Sequence, residues 1–480
     1  MRVALVSLGC PKNLVDSEKM LAILAQHGCV VGAPMEQAEA IVINTCGFLS
    51  AARDESLAVI RQAIKLKETG PARRVVVAGC LVNRDAQKLY DLVPGIDAIV
   101  GVNDRPAIAK AVLGRRRLSR ITPHPPRAQL TPLAASKASD NDKSLQAGRL
   151  HHNTASANRK PPSDAGRFRL TPRHTTYLRI SEGCNQRCTF CTIPAIRGPF
   201  RSKGVQAVLA EAEELLADGA IELNIIGQDT TTYGQDLLKP ASLASLLRKL
   251  DGIVGPKRWI RLMYAYPQRF TDELIDVLTD SESLVKYIDL PLQHISDPIL
   301  RRMGRGVGRA STEKLLYRLR ERIPYLALRT TFIVGFPGET DGQFNELLQF
   351  VKDFKFDALG VFEFSPEPGT PAANMACPVA DEVKALRAKQ IMLVQQEIAF
   401  AANRSRKGSL LDVLVDGVDS TGRCVGRCYT QAPDIDSVCI LSRPRPAGQL
   451  IKAKVTGHRG YDLLVQPLDA RLFVHRKMLG

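Results

Sequence analysis

Three short runs of β-branched and small apolar residues, RVALVSLGC, AIVINTCG and RRVVVAGC, alternate with segments of helical apolar spacing, and each run reaches a cysteine at its end. Runs of Val and Ile that are apolar throughout mark strands buried on both faces of a parallel sheet. Separated by VDSEKMLAILAQHG, DESLAVIRQAIKLKE and NRDAQKLYDLV, they predict a doubly wound α/β domain over residues 1–113. Parallel strands place their C-terminal ends on one edge of the sheet, where open α/β folds bind ligands. Cys10, Cys46 and Cys80 are therefore expected to converge there. A single buried cysteine is commonly a small hydrophobe, but three at equivalent strand ends predict a three-thiolate site. Cys29, which follows Gly28 and opens the run CVVGA, is read as core.

The alternation stops at residue 114. Residues 114–174 hold 13 Lys/Arg against 3 Asp, are rich in Pro, Ser, Ala and Asn, and show no apolar period. Such a segment cannot bury enough surface to fold and is expected to be a flexible basic linker. It can touch RNA electrostatically or act as a solvated tether. From 175 to 403 the alternation resumes: TTYLRI, IELNIIG, WIRLMYAY, YIDLPLQ, ALRTTFIVGF and ALGVFEFS read as six strands, each followed by a helical pattern. Six βα units predict a partial or full TIM-like (β/α)6 barrel with its site at the C-terminal ends of the strands. From 404 to 480 the runs shorten and are bounded by Gly, Asp and Pro, the pattern of a small antiparallel barrel or sandwich. Its Cys424, Cys428 and Cys439 are assigned to packing, since no further ligand set accompanies them.

Just past the first strand of the central region lies ISEGCNQRCTFC, in which Cys184, Cys188 and Cys191 form a CxxxCxxC triplet. Three thiolates at that spacing can hold three irons of a 4Fe-4S cubane and leave the fourth open for a small molecule, whereas electron-transfer ferredoxins close their clusters with four cysteines. Zinc frameworks come instead as paired short spacings. Gly227 and Gln228 past the second strand, Gln293 and His294 past the fourth, and residues 335–339 past the fifth are expected to face the same opening. The glycines of GQDTT and GFPGE let a backbone approach a ligand closely. His294 can be an acid–base group or a structural residue. Arg301, Arg302, Arg305 and Arg309 can grip an acidic or phosphate-bearing partner or form a solvated face.

Composition sets the outer limits. A chain of 480 residues with 45% hydrophobic content has room for about three domains. MRVALVSLGC is too short for a signal peptide, and no apolar stretch approaches the ~20 residues of a membrane span, so a soluble cytoplasmic protein is expected, with no membrane partner. Eleven cysteines in that reducing compartment suit metal ligands better than disulfides. The net charge of +17 invites a nucleic-acid reading, but +10 of it lies in residues 114–174 and +6 beyond residue 403, which leaves the rest nearly neutral.

With Phe190 immediately before its last cysteine, the CxxxCxxC triplet resembles the signature of radical S-adenosylmethionine (SAM) enzymes. An upstream domain with three separated cysteines and a small downstream β-domain, TRAM-like, is similar to the methylthiotransferases over nearly the whole chain outside the linker. SLGCPKNLVDSE around Cys10, IRGPFRS after the triplet and QAPDIDS near Cys428 resemble the RimO-type branch, which modifies an aspartate in the twelfth protein of the small ribosomal subunit. The MiaB-type transfer-RNA branch tends to have Gln and Met where Pro11 and Lys12 stand here. The resemblance implies two 4Fe-4S clusters, a radical SAM cluster on Cys184, Cys188 and Cys191 and an auxiliary one on Cys10, Cys46 and Cys80. It implies SAM as cofactor, with Phe190, Gly227, Gln228, Gln293, Gly335, Gly338 and Glu339 as contacts, and transfer of a methylthio group to the aspartate β-carbon at the expense of two SAM molecules. As partners it implies the ribosomal protein or ribosome, an electron donor protein and a sulfur source, with RNA contact through the linker and the C-terminal domain. Transfer-RNA adenosine methylthiolation is the alternative within the class, and a non-catalytic iron-sulfur protein docking on RNA or ribosomes the alternative outside it. The long linker and the C-terminal cysteines depart from the family pattern.

Overall fold

A computed structural model of the chain describes residues 1–114 and 163–468; most of the expected linker, residues 115–162, lies outside the described residues. The N-terminal sheet consists of β1 (Arg2–Ser7), β2 (Val30–Val31), β3 (Ala40–Thr45), β4 (Arg74–Gly79) and β5 (Ala98–Gly101), all parallel and in the order β2-β1-β3-β4-β5. Its three central strands are those the cysteine-ended runs predict; β2 and β5 are too short to carry a readable period. One face packs Val3, Val42 and Val76 on Met20, Leu24 and Ile108, with Cys29 in that core as expected. The other packs Ile41, Ile43, Val75 and Val77 on Ile60, Ala63 and Leu81. Each such Val, Ile, Leu or Met side chain contributes roughly 1.5–3 kcal/mol by burial. The third helical pattern is broken into Cys80–Asp85 and Lys88–Leu92 by Ala86, at φ 39°.

The central domain is one open sheet of six parallel strands in the order β13-β12-β11-β10-β9-β6. These are β6 (Thr175–Arg179), β9 (Glu222–Ile226), β10 (Trp259–Leu262), β11 (Leu284–Asp289), β12 (Ala327–Val334) and β13 (Ala358–Glu363), with a small antiparallel pair, β7 (Ser181–Glu182) and β8 (Arg201–Ser202), beside the first. The six predicted strands are all present and the barrel is partial. Alternate residues divide the sheet: Leu178, Leu223, Ile225, Ile260 and Ile288 pack under the helices. Tyr177, Ile226, Met263 and Tyr287 line the other face, where they meet Val15 of the N-terminal domain and Leu414 and Ala432 of the C-terminal one. The inner face is thus filled by the two flanking domains.

The C-terminal strands β14 (Leu410–Val418), β15 (Cys424–Cys428), β16 (Cys439–Leu441), β17 (Leu450–Arg459) and β18 (Asp462–Pro467) close into a barrel. Four of its pairings are antiparallel as predicted, and β16 with β18 is parallel. Cys424, Cys428 and Cys439 lie in its apolar core with Val413, Val415 and Ala453. Among the described residues, no helix is long and apolar enough to cross a membrane.

The expected flexible linker does not extend to residue 174. Residues 163–174 pack between domains: Asp164 is buried and ion-paired to Arg105, Arg179 and Lys203 at 2.5–2.8 Å. Arg167, also buried, pairs with Glu18 and Glu211. A segment with no apolar period is held here by charge pairs and hydrogen bonds, such as Phe168 N–H to the Glu18 carbonyl, which periodicity cannot register.

Candidate active site

The three N-terminal cysteines do converge. Cys10 caps the helix Pro11–Gln26, Cys46 follows β3, and Cys80 opens the helix after β4. The loops touch through glycine: a Cβ on Gly9 would stand 2.7 Å from Cys46 Cβ, and one on Gly47 would stand 2.8 Å from the Leu81 backbone beside Cys80. Asn13 staples the group, donating to the carbonyls of Leu8 (2.7 Å) and Thr45 (3.0 Å). Burial pushes the Cys46 thiol up and that of Cys80 up to about 12, with Arg197 pulling Cys80 back.

Cys184, Cys188 and Cys191 form a loop after β7, at the C-terminal edge of the open sheet. Gly183, at φ 78°, makes the approach: a side chain there would strike the carbonyl of Pro199. The loop is tied to the segment after Arg301, for Thr189 donates its N–H to Met303 (2.9 Å) and its hydroxyl to Arg302 (2.8 Å). Burial lifts Cys184 to about 11 and Cys191 to about 12. Thiols this reluctant to ionise become thiolates when a metal takes the proton's place.

Among the described residues, no three His, Cys, Asp or Glu side chains close on a point as ligands of a single metal ion do. A cubane sets each thiolate on a different iron, so its ligands surround a volume. Each triad offers three soft donors without a fourth, which fits a cluster with an open iron. Beside the second triad, Ser181 Oγ and Gln228 Oε1 are buried without hydrogen-bond partners.

The other expected residues divide. Gly227 packs on Ser181, where a Cβ would stand 2.5 Å from Oγ, and Gln228 donates to Glu182 (2.8 Å). Half-buried Gln293, at φ 75°, bridges β12 at Phe332. Phe190 packs on Ile299, Met303 and Phe336 beside the triplet. The 335–339 turn is different: the Glu339 carboxylate turns inward, accepts from the N–H groups of Gly335 and Phe336, and meets Arg387 (3.4 Å). The Cβ directions of Gly335 and Gly338 run into Lys384 and Arg302 rather than open space. His294 is buried behind the turn; its Nδ1 accepts from Ser296 N–H (3.0 Å) and its Nε2 faces Glu339 at 3.5 Å. Of the four arginines, Arg305 points at the site, donating to Cys188 Sγ (3.7 Å) with its guanidinium over Tyr266. Arg301 is exposed, Arg302 lies against Gly338, and Arg309 pairs with Glu313 and Glu346.

Two residues that sequence reasoning did not single out join the triads. Arg197, from IRGPFRS, is buried and reaches Cys80 Sγ (3.4 Å), Asp16 (3.1 Å) and Glu182 (3.0 Å) at once. Burial would raise the Glu182 carboxyl, but Arg197 and Arg179 outweigh it and hold it down. Glu182 in turn precedes Cys184 by two residues. Lys12, two residues after Cys10, is buried with its amine over the ring of Tyr264, just past β10. Both motifs were visible in the sequence, but without sign that they meet partners from another domain.

Comparison with known proteins covers all three domains. The Radical SAM superfamily matches residues 178–351, the uncharacterized protein family UPF0004 residues 2–101, and the TRAM domain residues 408–467. A ribosomal protein uS12 methylthiotransferase RimO from Syntrophotalea carbinolica is 39% identical over 98% of this chain and 97% of its own. Its counterpart from Geotalea uraniireducens is 40% identical over 96% of this chain and 97% of its own. Among solved structures, the radical SAM methyltransferase TsrM from Kitasatospora setae aligns with a TM-score of 0.48 and 16% identity over 87% of this chain and 79% of its own.

Proposed function

Because this chain belongs to the RimO family of ribosomal protein uS12 methylthiotransferases, we propose that its two cysteine triads divide the reaction between them. The chain is a radical SAM methylthiotransferase. Cys184, Cys188 and Cys191 would hold one 4Fe-4S cluster and Cys10, Cys46 and Cys80 a second. When bound, the clusters supply one-electron cleavage of SAM and a landing point for sulfur, chemistry that no side chain can provide. The acceptor is the β-carbon of an aspartate in uS12.

The observation that carries this reading is Arg197. One guanidinium spans Cys80 of one triad and Glu182, at the root of the other, so the two sites are fixed relative to each other by a buried, multiply bonded group. Gly183 seats the triplet loop, and Gln228, Gln293 and Phe190 would contact SAM. Glu339, Gly335 and Gly338 would act one layer back, by holding the 335–339 turn in shape. Arg305, beside Cys188, tunes the sulfur environment through its N–H. An external protein supplies the electron, an outside source supplies the sulfur, and the C-terminal barrel with the basic segments docks on the ribosome.

The test offers the reduced, reconstituted enzyme both ribosomes and bulk transfer RNA, with SAM and sulfide. Mass spectrometry should find the methylthio group on uS12. Its appearance on transfer-RNA adenosine instead would overturn the reading.

A further inference from the structure

Among the described residues, the buried Lys12 ammonium has no carboxylate counter-ion. The residue is 6% exposed, and its Nζ lies 2.8 Å from the centroid of the Tyr264 ring. Among the described residues no carboxylate pairs with it, because each nearby acid is taken. Asp289 is bound by Arg329 at 2.9 Å, Asp16 by Arg105, Arg179 and Arg197, and Glu182 by Arg179 and Arg197. Buried charges are ordinarily paired, and a ring face stabilises a cation without neutralising it.

The ring is held in place at some cost. Tyr264 stands just past β10 with φ 58°, a left-handed conformation that an aromatic residue keeps only where its surroundings enforce it. Its N–H donates to Asp289 (3.2 Å), and its carbonyl accepts from Thr230 N–H (3.1 Å). Two residues on, Tyr266 carries the guanidinium of Arg305, which reaches Cys188. The amine is thus linked to both triads: it is two residues from Cys10, and Tyr264, Tyr266 and Arg305 connect it to Cys188.

We propose that Lys12 is a specificity-determining residue whose ammonium receives the side-chain carboxylate of the substrate aspartate. The inference rests on the reading of uS12 as substrate. A β-carbon lies one bond from that carboxylate, so a carboxylate anchored at Lys12 holds the β-carbon within reach of the groups linked to both triads. A substrate without the negative charge leaves the ammonium unpaired, and unpaired buried groups are what give a polar site its discrimination.

The experiment measures binding of isolated uS12 to the holoenzyme, and of uS12 in which the modified aspartate is replaced by asparagine. The wild-type enzyme should prefer the aspartate form by about tenfold or more, as befits a lost charged hydrogen bond. Lys12→Met should bring the two affinities within about twofold of each other, and Lys12→Arg should retain the preference. If Lys12→Met does not fold, the same ratio in Lys12→Gln decides. An undiminished preference in the neutral variant, or none in the wild type, overturns the role of Lys12. A wild-type holoenzyme that leaves uS12 unmodified overturns the underlying substrate reading instead.

Discussion

At the scale of the residue, Arg197 concentrates the logic of the site. Buried guanidinium groups are tolerated where several acceptors share the charge, and here Asp16, Glu182, Asn13 and Cys80 all do. Arg197→Ala leaves two carboxylates short of a partner at the junction of two domains. It should lower stability by about 3 kcal/mol or more, read as a lower urea midpoint. Arg197→Lys should recover only part of this, since an ammonium cannot reproduce a planar fork bridging acceptors on three sides. A midpoint unchanged in the alanine variant would remove Arg197 from this role. None of it was legible beforehand. Arg197 and Cys80 stand 117 positions apart, and an arginine in a loop carries the same signal whether it faces water or a buried thiol. Glu339 shows the converse. A glycine-rich turn after a strand suggests a ligand, yet buried backbone N–H groups need an acceptor first, and Glu339 satisfies its own turn.

At the scale of the element, strands and their ends were the legible part. Period and β-branching predicted the cysteine-ended strands and all six central ones, and parallel geometry then placed Cys10, Cys46 and Cys80 on one edge. What escaped was the use of each strand's second face. Glu222 of β9 lies on the inner face of the sheet, between Arg261 (2.9 Å) and Arg427 of the C-terminal barrel (2.6 Å). Burial works to raise its carboxyl, but Arg427 and Arg261 prevail and hold it at about 2 instead of 4.5. A carboxyl depressed in the folded state contributes stability that is complete above its ordinary value and is lost as pH falls through 4.5 toward 2. At about 1.4 kcal/mol per unit the loss is roughly 3 kcal/mol. The wild-type urea midpoint should therefore drop more steeply between about pH 5 and pH 2 than that of Glu222→Gln. Equal slopes would mean that the ion triad does not hold barrel and sheet together.

At the scale of the whole molecule, three domains meet on the inner face of the open sheet. The N-terminal domain brings Cys10 and Lys12 over the inner face of the open sheet, the C-terminal barrel fills that face from Leu414 and Ala432, and residues 163–174 lock the junction through Asp164 and Arg167. The domain order was legible from changes of period along the chain; the docking was not, because its ion pairs and apolar contacts join residues with no periodic relation. On the function proposed above, the two triads perform separate steps. The most direct test compares Cys184→Ala with Cys10→Ala after reconstitution, measuring 5'-deoxyadenosine and methylthio-uS12 in the same reaction. Cys184→Ala should form neither product, whereas Cys10→Ala should still form 5'-deoxyadenosine and no methylthio-uS12. Methylthio transfer by the Cys10 variant would contradict the division of labour.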